Sequence, residues 1–164
     1  MLAVERERKF LVKKLPDVFK VKKKEIIQKY LSSEPELRIR KIGGDYVLTK
    51  KGPGTHTRRE EEMEISSELF LFLEGDRPPM QIQKTRYYLP LKAGLVAELD
   101  VYKGEFQGFY SVEVEFETEE DMKAFAPPDW FGMEVTERRD ITNYQMAKNG
   151  IPKDLTAIIE SYSL

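Results

Sequence analysis

The sequence predicts a mainly β (α+β) fold: an eight-stranded antiparallel β-barrel forming a hydrophilic tunnel, with a few flanking helices. Three observations point there. Short segments with period-2 alternation recur from end to end, separated by Gly and Pro. The connections between them are too short for parallel crossovers, which need a dozen residues or more, so neighbouring strands run antiparallel. Nearly every strand carries charge on one face, and a sheet of about eight strands tends to curl and can close.

Strands are expected over residues 4–12, 26–31, 37–42, 46–51, 58–65, 81–89, 95–102 and 110–116. Gly43-Gly44-Asp45 joins the third and fourth as a tight hairpin, while Gly52-Pro53-Gly54 and Leu91-Lys92-Ala93-Gly94 make looser turns. Helical patches are expected at 66–74, 118–125, 143–148 and 153–161, with Ser66 or Ser67 and Thr118 placed to cap the first two. Segment 13–24 (KKLPDVFKVKKK) reads as either a short helix or a loop. No internal repeat or low-complexity linker divides the chain, and its 164 residues suit one domain over 1–164.

Composition narrows the function classes. Lys+Arg 27 nearly cancels Asp+Glu 29, and a net charge of −2 argues against a generic nucleic-acid or acidic-membrane binder. Cysteine is absent, which excludes disulfides, Cys-based zinc sites and thiol nucleophiles. His56 alone cannot build a His-rich metal cluster. The longest apolar run, Leu69-Phe70-Leu71-Phe72-Leu73, is far short of a bilayer span, and the first residues carry no apolar signal region. A soluble cytoplasmic protein with neither membrane nor nucleic-acid partner is expected.

The charged faces carry the chemistry. Side chains two apart in a strand share a face. Glu5, Glu7 and Lys9 therefore lie together, as do Arg38 with Arg40, Thr49 with Lys51, and Arg58 with Glu60, Glu62 and Glu64. Lys84 with Arg86, Glu98 with Asp100, and Glu113 with Glu115 follow the same rule. Such alternation usually marks the solvated side of a half-buried sheet. Here like charges sit at i and i+2, which repel on an open face, and the pattern runs through seven strands. Pointing inward, eight acids would face seven bases: Glu5, Glu7, Glu60, Glu62, Glu98, Asp100, Glu113 and Glu115 against Lys9, Arg38, Arg40, Lys51, Arg58, Lys84 and Arg86. A dry interior would cost several kcal/mol per unpaired ion, so such a channel calls for water, divalent cations and a polyanion. Arg and Lys suit phosphate oxygens; clustered carboxylates without His or Cys suit Mg2+ or Mn2+. Together these are the parts of metal-assisted phosphoryl hydrolysis.

The order of the motifs carries a resemblance. Glu5-x-Glu7-x-Lys9, Arg38-x-Arg40, Thr49-x-Lys51-Gly52, Arg58-x-Glu60-x-Glu62, Lys84-Thr85-Arg86-Tyr87, Glu98-Leu99-Asp100 and Val112-Glu113-Val114-Glu115 follow one another over residues 4 to about 149. The series resembles the triphosphate tunnel metalloenzymes, or CYTH superfamily, and is most similar to the short bacterial members that hydrolyse inorganic tripolyphosphate. The resemblance implies a tunnel holding a linear triphosphate with one or two divalent metals. Glu5, Glu7, Glu113 and Glu115 resemble metal ligands, and Lys9, Arg38, Arg40, Lys51, Arg58, Lys84 and Arg86 resemble triphosphate contacts. Glu60, Glu62, Glu98 and Asp100 resemble second-metal, water-positioning or charge-balancing residues; Glu60 and Glu62 are assigned to the catalytic side and Glu98 and Asp100 to the metal. Lys84 also resembles a lysine that assists the leaving phosphate as an acid. After the last strand the family commonly shows a basic-Tyr-basic-Asn run. This chain has Glu137-Arg138-Arg139-Asp140-Ile141-Thr142-Asn143, so Arg139 fills the basic role and Asn143 the Asn, while the Tyr and a second basic residue between them are missing.

The same resemblance covers class IV adenylate cyclases and thiamine or RNA triphosphatases, and a non-catalytic polyphosphate or nucleotide sensor is a separate alternative. His56 reads as a solvated loop residue and Trp130 as a packing anchor. Tyr87, Tyr88, Tyr102, Phe109 and Phe116 are expected to fill the outer core. Lys22-Lys23-Lys24 reads as a solvated face that could also draw in polyanions. An exposed edge or the Trp130 segment could support a homodimer.

Overall fold

Alternation of charged and apolar residues makes each strand two-faced, and a two-faced ribbon must hide one side. The computed structural model describes residues 2–76 and 80–164. Its strands are β1 Leu2–Val12, β2 Lys23–Ser33, β3 Glu36–Ile42, β4 Asp45–Lys51, β5 Thr57–Glu64, β6 Gln81–Pro90, β7 Val96–Tyr102, β8 Tyr110–Glu115 and β9 Phe131–Glu134. They form one antiparallel sheet in the order β5-β4-β3-β2-β6-β7-β8-β1-β9, and β5 also pairs with β1, which closes an eight-stranded barrel. Closure removes the open edges that an eight-strand sheet would otherwise expose.

Register sends the charged rows inward. Glu7 stands opposite Glu115 and Lys9 opposite Glu113. Between β7 and β8, Glu98 faces Glu113, and between β6 and β7, Arg86 faces Asp100. A slip of one residue would turn every one of these side chains outward, so the apolar alternates hold the register. On the outside of β1, β7 and β8 those alternates are Phe10, Val12, Leu99, Val112 and Val114, all buried and roofed by Met122 and Phe131. Met122 comes from helix α2, Glu119–Ala124, whose N-terminus Thr118 caps by accepting from the Asp121 amide. Each such side chain contributes roughly 1.5–3 kcal/mol on burial.

A second apolar cluster stops one end of the bore. Leu11, Tyr30, Ile82 and Tyr102, each on an inward row, pack with Ile141, Met146 and Leu155. Met146 belongs to helix α3, Asn143–Asn149, and Leu155 to helix α4, Lys153–Ser161. Helix α1, Ser67–Glu74, is capped by Ser66 and lays Phe70 on Tyr46 at 5.1 Å between ring centroids.

The structure departs from the sequence expectations in three places. A ninth strand, Phe131–Glu134, takes over the edge of β1 at Phe10 and Val12, beyond the stretch that β5 occupies. It is only four residues long and follows Pro127-Pro128, so it carries no period-2 signal. Within segment 13–24, Lys23 and Lys24 already belong to β2, and residues 13–22 form neither helix nor strand. The five aromatics expected in the outer core divide: Tyr87 and Phe116 lie there, Tyr102 and Phe109 fill the stopped end, and Tyr88 lines the bore. The two-residue turn Gly43-Gly44 matches expectation, with Gly43 at φ 57 where a side chain would be strained.

Candidate active site

The bore is a cavity of about 360 Å3 whose wall carries eight carboxylates and eight cationic side chains. The acids and bases expected to point inward stand in that wall with the exception of Asp100; Arg139, expected on the substrate from outside the strands, is also absent from it.

One side of the wall is acidic because β1, β7 and β8 are neighbours. Carboxylate oxygens of Glu5, Glu7 and Glu115 all lie within 4.8 Å of one another. Crowding shows in their protonation. Burial first, then the charges of Glu113 and Glu5, push the Glu7 carboxyl well above the usual range. Glu115 is pushed up to about 7 by loss of solvent and by Glu98, Glu5 and Glu113. Burial likewise raises Glu60 and Glu98, with Glu5 adding to the first and Glu113 opposing Arg86 at the second. Glu113 goes the other way: despite burial, Lys9, Arg86 and Lys84 hold it well below the ordinary carboxylate range. Three convergent carboxylates with no sulfur or imidazole suit a hard divalent cation, which would relieve the repulsion that protons otherwise relieve.

The facing wall is basic. Lys51 Nζ donates to Glu5 at 2.8 Å and lies 3.6 Å from Glu60. Arg40 donates to Glu62 at 2.7 Å, and the Thr49 hydroxyl donates to the same carboxylate at 3.0 Å. Arg58 is held by the Gly52 carbonyl at 2.8 Å and by Glu36 at 3.7 Å. Lys9 Nζ lies 3.9 Å from Glu113 and donates to the Ile141 carbonyl at 3.1 Å, which ties the bore wall to its stopper. Among the described residues, the buried Nε of Arg38 and of Arg40 has no hydrogen-bond partner. A buried guanidinium N–H without a partner costs about 1–3 kcal/mol, more for a charged group, and an anion in the bore would satisfy it.

Two assignments are corrected. Asp100, expected on the metal, has no exposed surface: its oxygens accept from Lys84 at 2.7 Å and from Arg86 at 2.7 and 2.8 Å. Against the cost of burial, Arg86 and Lys84 keep its carboxyl below the usual range, so it anchors two cations and lies outside the cavity lining. Arg139, expected on the substrate, is exposed and outside the lining; its neighbour Arg138 lines the cavity, paired with Asp140 at 2.7 Å and Asp154 at 2.9 Å. Residues that sequence reasoning missed include Gln28, Tyr30, Glu36, Tyr88 and Thr136, whereas Asn143, which the resemblance had singled out, does line the cavity. Period-2 continuation could have found Glu36, two before Arg38, and Tyr88, two after Arg86. Thr136 comes from the segment after β9, where no periodicity signals a lumen contact.

A closed antiparallel barrel with opposed acidic and basic rows inside defines the class: a charged-lumen barrel whose wall complements a multivalent anion together with a cation. A family model described as the CYTH domain matches residues 3–132, and the chain belongs to that family. It is 39% identical over 144 residues to an inorganic triphosphatase of Nitrosomonas europaea, covering 86% of this chain and 95% of the relative. An inorganic triphosphatase of Acetivibrio thermocellus is 30% identical over 152 residues, covering 87% and 92% respectively. Among solved structures, the crystal structure of an inorganic triphosphatase matches with TM-score 0.67 and 37% identity, over 90% of this chain and 96% of that one.

Proposed function

We propose that this protein is a divalent-metal-dependent hydrolase of a linear triphosphate, acting on inorganic tripolyphosphate to release pyrophosphate and orthophosphate. The observation that carries the reading is the pairing, inside one bore, of a carboxylate trio with a basic wall that leaves two buried guanidinium N–H groups without partners among the described residues. Its relatives being inorganic triphosphatases supports the same substrate class.

In this reading Glu5, Glu7 and Glu115 hold Mg2+ or Mn2+, with Glu113 and Glu98 beside them. When bound, such a cation acidifies water and offsets charge on phosphoryl oxygens. Arg38, Arg40, Lys51, Arg58 and Arg86 donate to the non-bridging oxygens, already fixed in place, so little reorganisation accompanies the reaction. Lys9 closes the grip from the stopped end. Glu60 and Glu62 orient the attacking water; the raised Glu60 carboxyl, pushed up by burial and by Glu5, lies among basic side chains that can modulate its proton affinity. Lys84, lowered to about 8 by burial, keeps an ammonium at neutral pH that yields its proton readily to the departing phosphate oxygen. The same proposal treats residues 1–164 as one domain working in the cytoplasm on a small molecule; no helix among the described residues is long and apolar enough to cross a membrane.

The test is phosphate release from tripolyphosphate, ATP, thiamine triphosphate and pyrophosphate with Mg2+, Mn2+ or EDTA, scoring cyclic AMP with ATP. Tripolyphosphate with metal should be the best substrate, EDTA should abolish turnover, and Glu7→Gln should lower it by roughly 100-fold or more, the order seen for loss of one charge-stabilising group. Release unaffected by EDTA, or cyclic AMP as the main product, would overturn the reading.

A further inference from the structure

Outside the bore, positive charge is concentrated in one segment. Between residues 13 and 24 the chain carries six lysines and a single acid, Asp17, although its net charge is −2. Inside the bore most cations have a carboxylate close by, whereas Lys20, Lys22 and Lys23 are exposed.

The structure sets this segment against the rim. The Tyr88 amide donates to the Lys22 carbonyl at 2.9 Å, and the Lys22 ammonium lies 5.4 Å from the centroid of the Tyr88 ring, which lines the cavity. Lys24 stands opposite Arg86, a lining residue, across the β2–β6 ladder. It also continues the inward row of Ile26 and Gln28, both in the cavity wall, by one step toward the rim. Lys23, on the alternate face, lies over Tyr87 at 6.0 Å. A basic track thus runs from the protein surface through Lys22 and Lys24 to Arg86. Next to it, Glu98 is Tyr88's partner on β7, and Glu98 and Glu115 face the bore. A polyanion reaching that rim meets carboxylates on one side and lysines on the other, and the lysine side is where its charge is stabilised.

We propose that Lys22 and Lys24 form a second anion-binding surface, which takes the phosphates of a linear inorganic polyphosphate that extend beyond the three held in the bore. The proposal rests on the triphosphate reading of the bore and adds a longer-chain ligand to it. Lysine is well matched to such a ligand, because a compact ammonium on a flexible stem follows a mobile phosphate chain without the fixed fork of arginine. Contacts of this kind release counterions from the polyanion, so their signature is steep salt dependence.

The experiment is calorimetric binding, in EDTA, of tripolyphosphate and of a polyphosphate of about 20 units to the full chain and to the Lys22→Gln/Lys24→Gln variant, where single-strand-like contacts predict a salt slope of about 0.7 per lysine. At about 50 mM salt the variant should bind the long chain roughly tenfold more weakly, with the log–log salt slope reduced by about 1.4, while tripolyphosphate binding stays within about twofold. Equal losses for both ligands, or none for the long chain, would overturn the proposal. So would a loss seen only with phosphatidylserine vesicles, which would assign the lysines to a membrane. Hydrolysis of tripolyphosphate by the wild type is the separate control: its absence counts against the reading of the bore, whereas normal hydrolysis with an unchanged long-chain slope counts against the lysine surface alone.

Discussion

Asp100 carries two of the bore's cations, because both of its oxygens are committed to Lys84 and Arg86 and no water reaches them. Removing its charge leaves two buried cations short of their counterion. Asp100→Asn should therefore lower the free energy of unfolding by about 3–5 kcal/mol in urea, the cost of breaking a buried pair, and a loss below about 1 kcal/mol would contradict the anchoring role. Glu115 gives a pH-dependent expectation. Its folded pKa, about 7, lies above the ordinary value, so from the usual carboxylate range up to about 7 the folded state holds a proton that the unfolded chain has released. Stability from this group is present at low pH and is lost as pH rises through that window; Glu7, Glu60 and Glu98 act in the same direction. Without divalent metal, the melting temperature should fall between about pH 5 and 7.5, and Glu115→Gln should flatten the fall. A wild-type profile that rises across the window would reject the assignment. At this scale the sequence was legible by parity and no further. Asp100 does lie on an inward row, but Lys84 and Arg86 close over it, and depth beneath neighbouring side chains has no counterpart in a period-2 pattern.

Among the elements, the strands were legible wherever charge and apolar character alternate, and the helices by runs without strand periodicity, two of them marked by a capping Ser or Thr. What escaped is the work done by the C-terminal third. β9 has four residues and no alternation, yet it completes the pairing of β1 where β5 leaves off. Helix α4 reads as an ordinary surface helix, yet Leu155 has no exposed surface and packs in the cluster that stops the bore. Leu155→Ala should cost about 2–5 kcal/mol, read from the urea midpoint, since a cavity would open beneath a helix held by few other buried residues. A cost under about 1 kcal/mol would mean that α4 does not seat the stopper.

For the molecule as a whole, closure is the decisive event. An open sheet of these strands would set like charges side by side in water and leave two edges free; closure sets β1 beside β5, so that Lys51 of β4 reaches Glu5 of β1 inside the bore. The sequence by itself determined the strand order in the chain, the antiparallel pairing and which residue of each pair carries the charge, because all three follow from alternation and short turns. It also set the family, through the succession of its ionic motifs. Tertiary structure alone decided which carboxylates converge within reach of one cation, which one is spent beneath Lys84 and Arg86, and that Arg138 instead of Arg139 lines the cavity. Those outcomes depend on distances between strands remote in sequence, on the slant of a closed barrel and on the irregular segment behind β9, and local periodicity encodes none of them.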